Sequence, residues 1–398
     1  MATDLAPTPT SGLMVQACGD AHISNFGVYA SPERQLVFDV NDFDETMSGP
    51  WEWDVKRLAA SVMVAARQRE FDERTCREIT RASVGGYRRM MQRSAEKRTL
   101  DAWYGVLSDD ELRWIDDATK RKRTRRQVGH LAAKARSRDS LRALAKLADA
   151  DDVDGDFQIR SDPPLLLPLR DLSPGHDAAE LEAAVLGPFE SYKETLGHDR
   201  RHILERFRPV DVALKVVGVG SVGTRCLVML LLGRDRDDPL FLQFKEAGNS
   251  VLSEHLPGRG PRHQGRRVVE GQRLMQTTSD IFLGWFSDRD GRHYYGRQLQ
   301  DWKASFEVDV AEPDALNKYV TLCGWALARA HARSGDAIAI GAYLGTSDAF
   351  DRAITAFAEV YAAQNDADYA AFTHAIATGQ LATDAATPNE ADDAATRA

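Results

Sequence analysis

The sequence predicts an α+β fold in which a small antiparallel β unit sits between two helical stretches. Three observations predict it: helical apolar spacing after Pro50, strand-and-turn alternation from Val212 to Leu299, and a return to helical spacing after Pro313. The chain has 398 residues and is 43% hydrophobic, enough for one large domain or two ordinary ones.

The elements follow in order. GLMVQAC reads as a strand, and FGVYA and QLVFDV flank the polar turn SPERQ as a hairpin. After Gly49 and Pro50, residues Val55, Leu58, Ala59, Val62, Met63 and Ala66 share one helical face. Helical spacing runs to about Ala150, where DDVDGD breaks it; FQIRSDPPLLLPL then reads as a short strand pair, and Ala178 to Phe207 as helix. The β unit begins with VALKVVGVGSVG and RCLVMLLLG, turns at RDRDDP into LFLQFKEA, crosses a helix over Arg266 to Met275, and ends in DIFLGWFS and HYYGRQL. This division assigns residues 1–207 to a helical part, 208–300 to the β unit, 301–378 to further helices and 379–398 to a disordered tail poor in large apolar groups.

Composition narrows the partners. Lys plus Arg number 51 against 60 Asp plus Glu, a net charge of −9, which disfavours general nucleic-acid binding despite the basic run KRKRTRR at 120–126. No apolar run approaches the roughly 20 residues of a membrane helix, and MATDLAPTPTSG lacks the blocks of a signal peptide. Cys18, Cys76, Cys226 and Cys323 form no CxxC pair, so free thiols in a cytoplasmic protein are expected.

The chemistry concentrates in two places. In GDAHISNF, Asp20 and Asn25 have the D-x-x-x-x-N spacing in which an Asp takes a hydroxyl proton and an Asn binds Mg²⁺. Asp42, after the hairpin, supplies a metal carboxylate, with Asp39 as the second candidate; one or two carboxylates with waters and phosphate oxygens suit Mg²⁺. The competing reading makes Asp20 and Asn25 turn residues that satisfy backbone groups. Farther along, Gly218, Gly220, Ser221 and Gly223 form G-V-G-S-V-G between two strands, and Lys245 follows in the next strand. Glycines let backbone N–H groups approach phosphates, and a strand lysine reaches them. The dinucleotide fingerprint needs a helix directly after the glycines, where TRCLVMLLLG reads as strand. Lys245 needs an anionic partner; Glu270 in the following helix is the first candidate and Glu254 the second.

These residues resemble the protein-kinase-like superfamily, above all its aminoglycoside-phosphotransferase branch. C-G-D-A-H-I-S-N at 18–25 is similar to that branch's H-G-D-x-H-x-x-N, with Cys18 in place of the first histidine. Asp42, Phe43, Asp44, Glu45, Gly49, Pro50 and Asp54 resemble its metal segment and the Gly-Pro and W-x-x-D run that follows. More narrowly, GDAHISNFG, VFDVNDFDE, GPWEWDVKRLAAS, GVGSVGTRC and ARAHARSGD resemble the bacterial family called domain of unknown function 2252 over nearly the whole chain. The resemblance implies a two-lobed kinase-like fold with a small β lobe and a large helical lobe. The catalytic segment here precedes the glycine segment, and YVTLCGWALARAHARSGD near the end resembles the helix that ordinarily leads into the catalytic loop, which together imply circular permutation. His331 and Asp336 imitate a catalytic loop, but no Asn follows at the required distance.

The function expected is ATP- and Mg²⁺-dependent phosphoryl transfer to an unknown small-molecule or protein acceptor. Alternatives on the same fold are nucleotidyl transfer and a pseudokinase. A metal-dependent phosphoesterase is a further alternative, because Asp20-Ala21-His22 imitates a D-x-H metal pair, although the Asn-His and Gly-His-x-His segments of that class are missing.

Overall fold

The helices at both ends of the chain carry apolar faces too wide to leave in water, and they cover one another. In the computed structural model, which describes residues 1–105, 140–150, 157–172, 187–216, 223–256, 261–299 and 304–381, the helices α1 (Trp51–Gln68) and α2 (Glu73–Ala95) pack with α5 (Pro313–Ser334), α6 (Ala337–Leu344) and α7 (Ala349–Ala377). Their starts follow sequence signals: Asp72 caps α2 by accepting from Thr75 N, and proline occupies the first turn of α5. The face expected on α1 is buried: Val55, Leu58, Ala59, Val62, Met63 and Ala66. Glycines set the closest approach. A Cβ on Gly324 of α5 would lie 2.1 Å from Ser83 O, and one on Gly86 of α2 would lie 2.7 Å from Thr321 O. One apolar core therefore joins residues from Val15 to Met91 with residues from Ala304 to Ala362.

Three short strands sit on this core. β2 (Phe26–Ala30) and β3 (Leu36–Val40) form the expected hairpin, and β13 (Ala304–Ser305) pairs with β2. β1 (Met14–Ala17) pairs with β4 (Met47–Pro50), which leads into α1, and farther along β5 (Ala148–Ala150) pairs with β6 (Phe157–Ile159).

The second sheet has six antiparallel strands in the order β11 (Gly284–Ser287), β12 (His293–Gln298), β10 (Pro239–Glu246), β9 (Cys226–Leu232), β8 (Arg208–Lys215), β7 (Leu166–Pro168). Its edge strand β7 precedes residue 207, so the β unit draws on more chain than the sequence division assigned. The reason is the run CLVMLLL in β9: successive side chains point to opposite faces, so a strand apolar at every position needs a cover on both. One face is covered by Phe189, Tyr192 and Leu196, the other by Ala143, Leu144 and Leu147 from α3 (Ser140–Leu147). Described residues between 140 and 204 thus pack on the sheet, where the division by sequence placed them with the helices. Between β10 and β11 runs α4 (Gln264–Met275), whose Val268, Val269 and Met275 reach into the helical core and tie sheet and helices together. The four cysteines are buried and form no disulfide. No helix among the described residues is long and apolar enough to cross a membrane. The basic run at 120–126 and residues 382–398 of the tail lie outside the described residues.

Because Gly324 touches the α2 backbone, which cannot move aside like a side chain, Gly324→Ala is expected to destabilise the protein by about 1–3 kcal/mol. Urea unfolding checks this; an unchanged midpoint would show that the helices are not in backbone contact.

Candidate active site around Asp20 and Lys245

The loop that carries Asp20 is held by a buried carboxylate. Asp54, in the first turn of α1, accepts from Cys18 N at 2.6 Å and from Gly19 N at 3.0 Å. Its Oδ2 also lies 3.0 Å from His331 Nε2, and His331 Nδ1 lies 2.9 Å from the Tyr87 hydroxyl. A carboxylate only accepts, so Nε2 donates, and in the neutral ring Nδ1 accepts from Tyr87. Tyr87 in turn stacks on Trp51, the first residue of α1, at 5.7 Å. His331 is fully buried in this network, and its role is structural. Gly19 has φ +86°, and a Cβ there would lie 2.3 Å from Glu45 O, so only glycine turns the chain sharply enough to bring Asp20 out.

Beyond that turn, Ile23 N donates to Ser61 Oγ, and the Tyr319 hydroxyl donates to the carbonyls of Ile23 and Phe26. Asn25 Nδ2 donates to Asp20 O at 2.7 Å, which leaves Oδ1 as the atom of that amide able to meet a cation. The Asp20 carboxylate is 42% exposed and is held by Arg57 Nε at 2.8 Å, with His22 Nε2 at 3.7 Å. Burial lowers the His22 pKa, an effect that the Asp20 charge opposes.

The metal segment meets Lys245. Lys245 Nζ lies 3.2 Å from Asp44 Oδ2 and 3.8 Å from Asp42 Oδ2, and the Tyr295 hydroxyl donates to Asp44 Oδ1 at 2.5 Å. Burial pushes the Tyr295 hydroxyl well above its ordinary range, so it stays a donor. Cys18 Sγ donates to Asp42 O at 3.2 Å, linking the two motifs directly. Arg267, buried on α4, clamps the same segment by donating to the carbonyls of Thr46 and Asp44 at 2.7 Å and of Gly248 at 3.1 Å. From the other side Val251 N donates to Glu45 Oε2 and Ser250 Oγ donates to Glu45 O.

Two expectations are corrected. Glu270 does not partner Lys245: it is 46% exposed and pairs with Arg266 at 2.7 Å, and Glu254 forms no ion pair with Lys245 either. Helical geometry explains it, since α4 turns Arg267, Val268, Gly271, Gln272 and Met275 inward and leaves Glu270 outside. Asp39 is buried and engaged elsewhere, accepting from Val40 N and Thr277 N, with the charges of Arg329 and Arg333 acting on it. Burial raises its pKa, whereas Asp42 is the acid beside Lys245.

Gly218, Gly220 and Ser221 lie outside the described residues. Gly223 has φ +89°, and the strands on either side of the glycine segment, β8 and β9, are antiparallel neighbours, so no helix follows the glycines as a dinucleotide site requires. Sequence reasoning missed Arg267, Tyr295 and Arg57. Asp44 stood within a quoted motif without a role; nothing in the sequence marks the other three.

Among the described residues no three His, Cys, Asp or Glu side chains gather to hold a metal by themselves. Asp42 and Asn25 offer a carboxylate and an amide oxygen, the ligand types Mg²⁺ takes together with waters and phosphate oxygens. A groove of about 620 Å³ is lined by Ser61, Glu307, Asp309 and Tyr361 together with His22 and Arg57, the two residues that face the Asp20 carboxylate.

Substitutions on α4 separate the clamp from the exposed acid. Arg267→Met is expected to cost about 2–4 kcal/mol, because it strands one buried and two part-buried carbonyls, while Glu270→Gln stays within about 0.5 kcal/mol. Thermal unfolding of both variants checks this; equal losses would contradict the inward placement of Arg267.

Comparison with curated proteins and with solved structures gives no match. A family model described as "Uncharacterized protein conserved in bacteria (DUF2252)" matches residues 1–375. It spans the Asp20 loop, the Asp42–Glu45 segment, Lys245 and the helix that supplies His331, and the chain belongs to that family.

Proposed function

We propose that this protein is an ATP- and Mg²⁺-dependent phosphotransferase with a kinase-like, circularly permuted, two-lobed arrangement. The observation that carries the reading is the Lys245 ammonium lying against Asp42 and Asp44 while the Asp20–Asn25 loop is bonded to the same segment through Cys18. A phosphate-binding cation, a metal carboxylate, an Asn and a solvent-facing Asp then share one site, as phosphoryl transfer needs. The single core built by both chain ends supports the permutation, because permuted order works only where the ends fold together.

In this reading Lys245 receives the phosphates and Asn25 and Asp42 hold the metal. Bound Mg²⁺ would offset the phosphate charge. Asp20, oriented by Arg57, takes the proton of the acceptor hydroxyl, and the groove between His22 and Asp309 admits that acceptor. Nucleotidyl transfer uses the same residues and remains the alternative reaction. The phosphoesterase reading draws less support, since His22 faces Asp20 with no third ligand among the described residues.

Thermal shift with ATP, with and without Mg²⁺, and basal ATP hydrolysis test the proposal. Asp20→Asn is expected to leave MgATP affinity nearly intact and to lower hydrolysis by about 10²- to 10⁴-fold. Asp42→Asn weakens Mg²⁺-dependent nucleotide binding more than Asp20→Asn does, and Lys245→Met impairs binding and turnover together. Equal hydrolysis by wild type and Asp20→Asn would remove Asp20 as the base. No response of wild type to ATP would end the nucleotide reading.

A further inference from the structure

Lys215 ends β8, and its position on the sheet follows from register. Leu214 lies opposite Leu227, so the next step sets Lys215 opposite Cys226, which itself lies opposite Lys245, and Lys245 opposite Tyr295. Directly opposed residues of antiparallel strands project to the same face. Lys215 and Lys245 therefore flank Cys226 in one cross-strand row, two strand spacings or about 10 Å apart at Cα. Tyr295, in the same row, carries Asp44. Lys215 stands on the face that meets the candidate site.

The two lysines differ in their partners. Lys245 has Asp42 and Asp44, whereas the Lys215 ammonium makes no ion pair or hydrogen bond among the described residues. Burial disfavours its charged form, and the cation Lys146 adds to that. A half-buried ammonium with no anion is costly, and packing alone would be served as well by an apolar side chain. Asp42 and Asp44 act on Arg297 as well as on Lys245, so the cations beside these acids are already engaged when an anionic ligand enters. Lys215 has a charge uncommitted among the described residues.

We propose that Lys215 is a second phosphate-binding cation and that this face of the sheet takes a polyphosphate chain between Lys215 and Lys245. The inference rests on the phosphotransferase reading and extends it by naming the part of the ligand that the row recognises.

The test uses the full chain as wild type, Lys215→Met, Lys215→Arg and, as a control, Lys245→Met, titrated calorimetrically with MgATP and with inorganic tripolyphosphate. Unliganded thermal unfolding is measured alongside. Lys215→Met is expected to unfold at the same or a higher temperature than wild type, because an unpaired charge is replaced by an apolar chain of similar shape. It should bind both ligands at least about tenfold more weakly, and Lys215→Arg should retain most of the affinity. If Lys215→Met binds like wild type while Lys245→Met is weakened, Lys215 is no phosphate ligand and the phosphotransferase reading survives. A lower unfolding temperature with unchanged affinity would make Lys215 structural. If wild type binds tripolyphosphate and not ATP, the phosphate row stands and the nucleotide reading falls; binding of neither overturns both.

Discussion

The Asp54 carboxylate, buried at the start of α1, is the point on which the site depends. It accepts from the backbone of Cys18 and Gly19 and meets His331, so the loop before Asp20, the helix after Pro50 and the C-terminal helix α5 converge on two oxygens. Removing one partner of a buried charged network costs roughly 3–5 kcal/mol, because the other partners are left without water or protein in reach. The position also suits the carboxylate electrostatically, since the first turn of a helix carries partial positive charge. Tyr87 and Trp51 then fix the imidazole ring from behind. The loop is consequently rigid up to Gly19, and Asp20 leaves it with its carboxylate facing outward.

A second convergence joins the six-stranded sheet to this loop. Asp42 to Thr46 receives Lys245 and Tyr295 from the sheet, Arg267 from α4, and Ser250 and Val251 from the segment after β10. Arg267 donates to main-chain carbonyls while its charge also acts on Glu45 and Asp44, and Lys245 pairs with Asp42 and Asp44 directly. The carboxylates of Asp42 and Asp44 thus meet Lys245, and Asp44 also accepts from Tyr295. Lys215 stands on the same face and makes no ion pair among the described residues.

Much of this was legible in the sequence. The β2–β3 hairpin, the apolar face of α1 and the strand–glycine–strand order around Gly223 follow from periods of 2 and 3.6 and from turn chemistry, which are local properties. Asp20, Asn25, Asp42 and Lys245 were legible as residues of motifs, Asp20 and Asn25 in one and Asp42 and Lys245 in others, but not as a group. What failed was Glu270: apolar and polar positions locate a helix but do not decide which of several polar residues turns inward, and Arg266, four positions earlier, already satisfies Glu270 on the outside. The covering of the sheet by residues 140–204 was missed although CLVMLLL signalled it, because a doubly buried strand says that a second cover exists and not which segment supplies it.

The sequence by itself therefore determined the α+β class, the order of its elements and the residue types that bring chemistry. Only the tertiary structure decided the pairings: Lys245 with Asp42 and Asp44, Asp54 with His331, Arg267 with the carbonyls of the metal segment. Each joins residues roughly 200 or more positions apart, and at that distance no period or motif carries information about contact. Burial of the shared helical core and the two-faced sheet brings them together, and the desolvation of each charge then selects the partner it keeps.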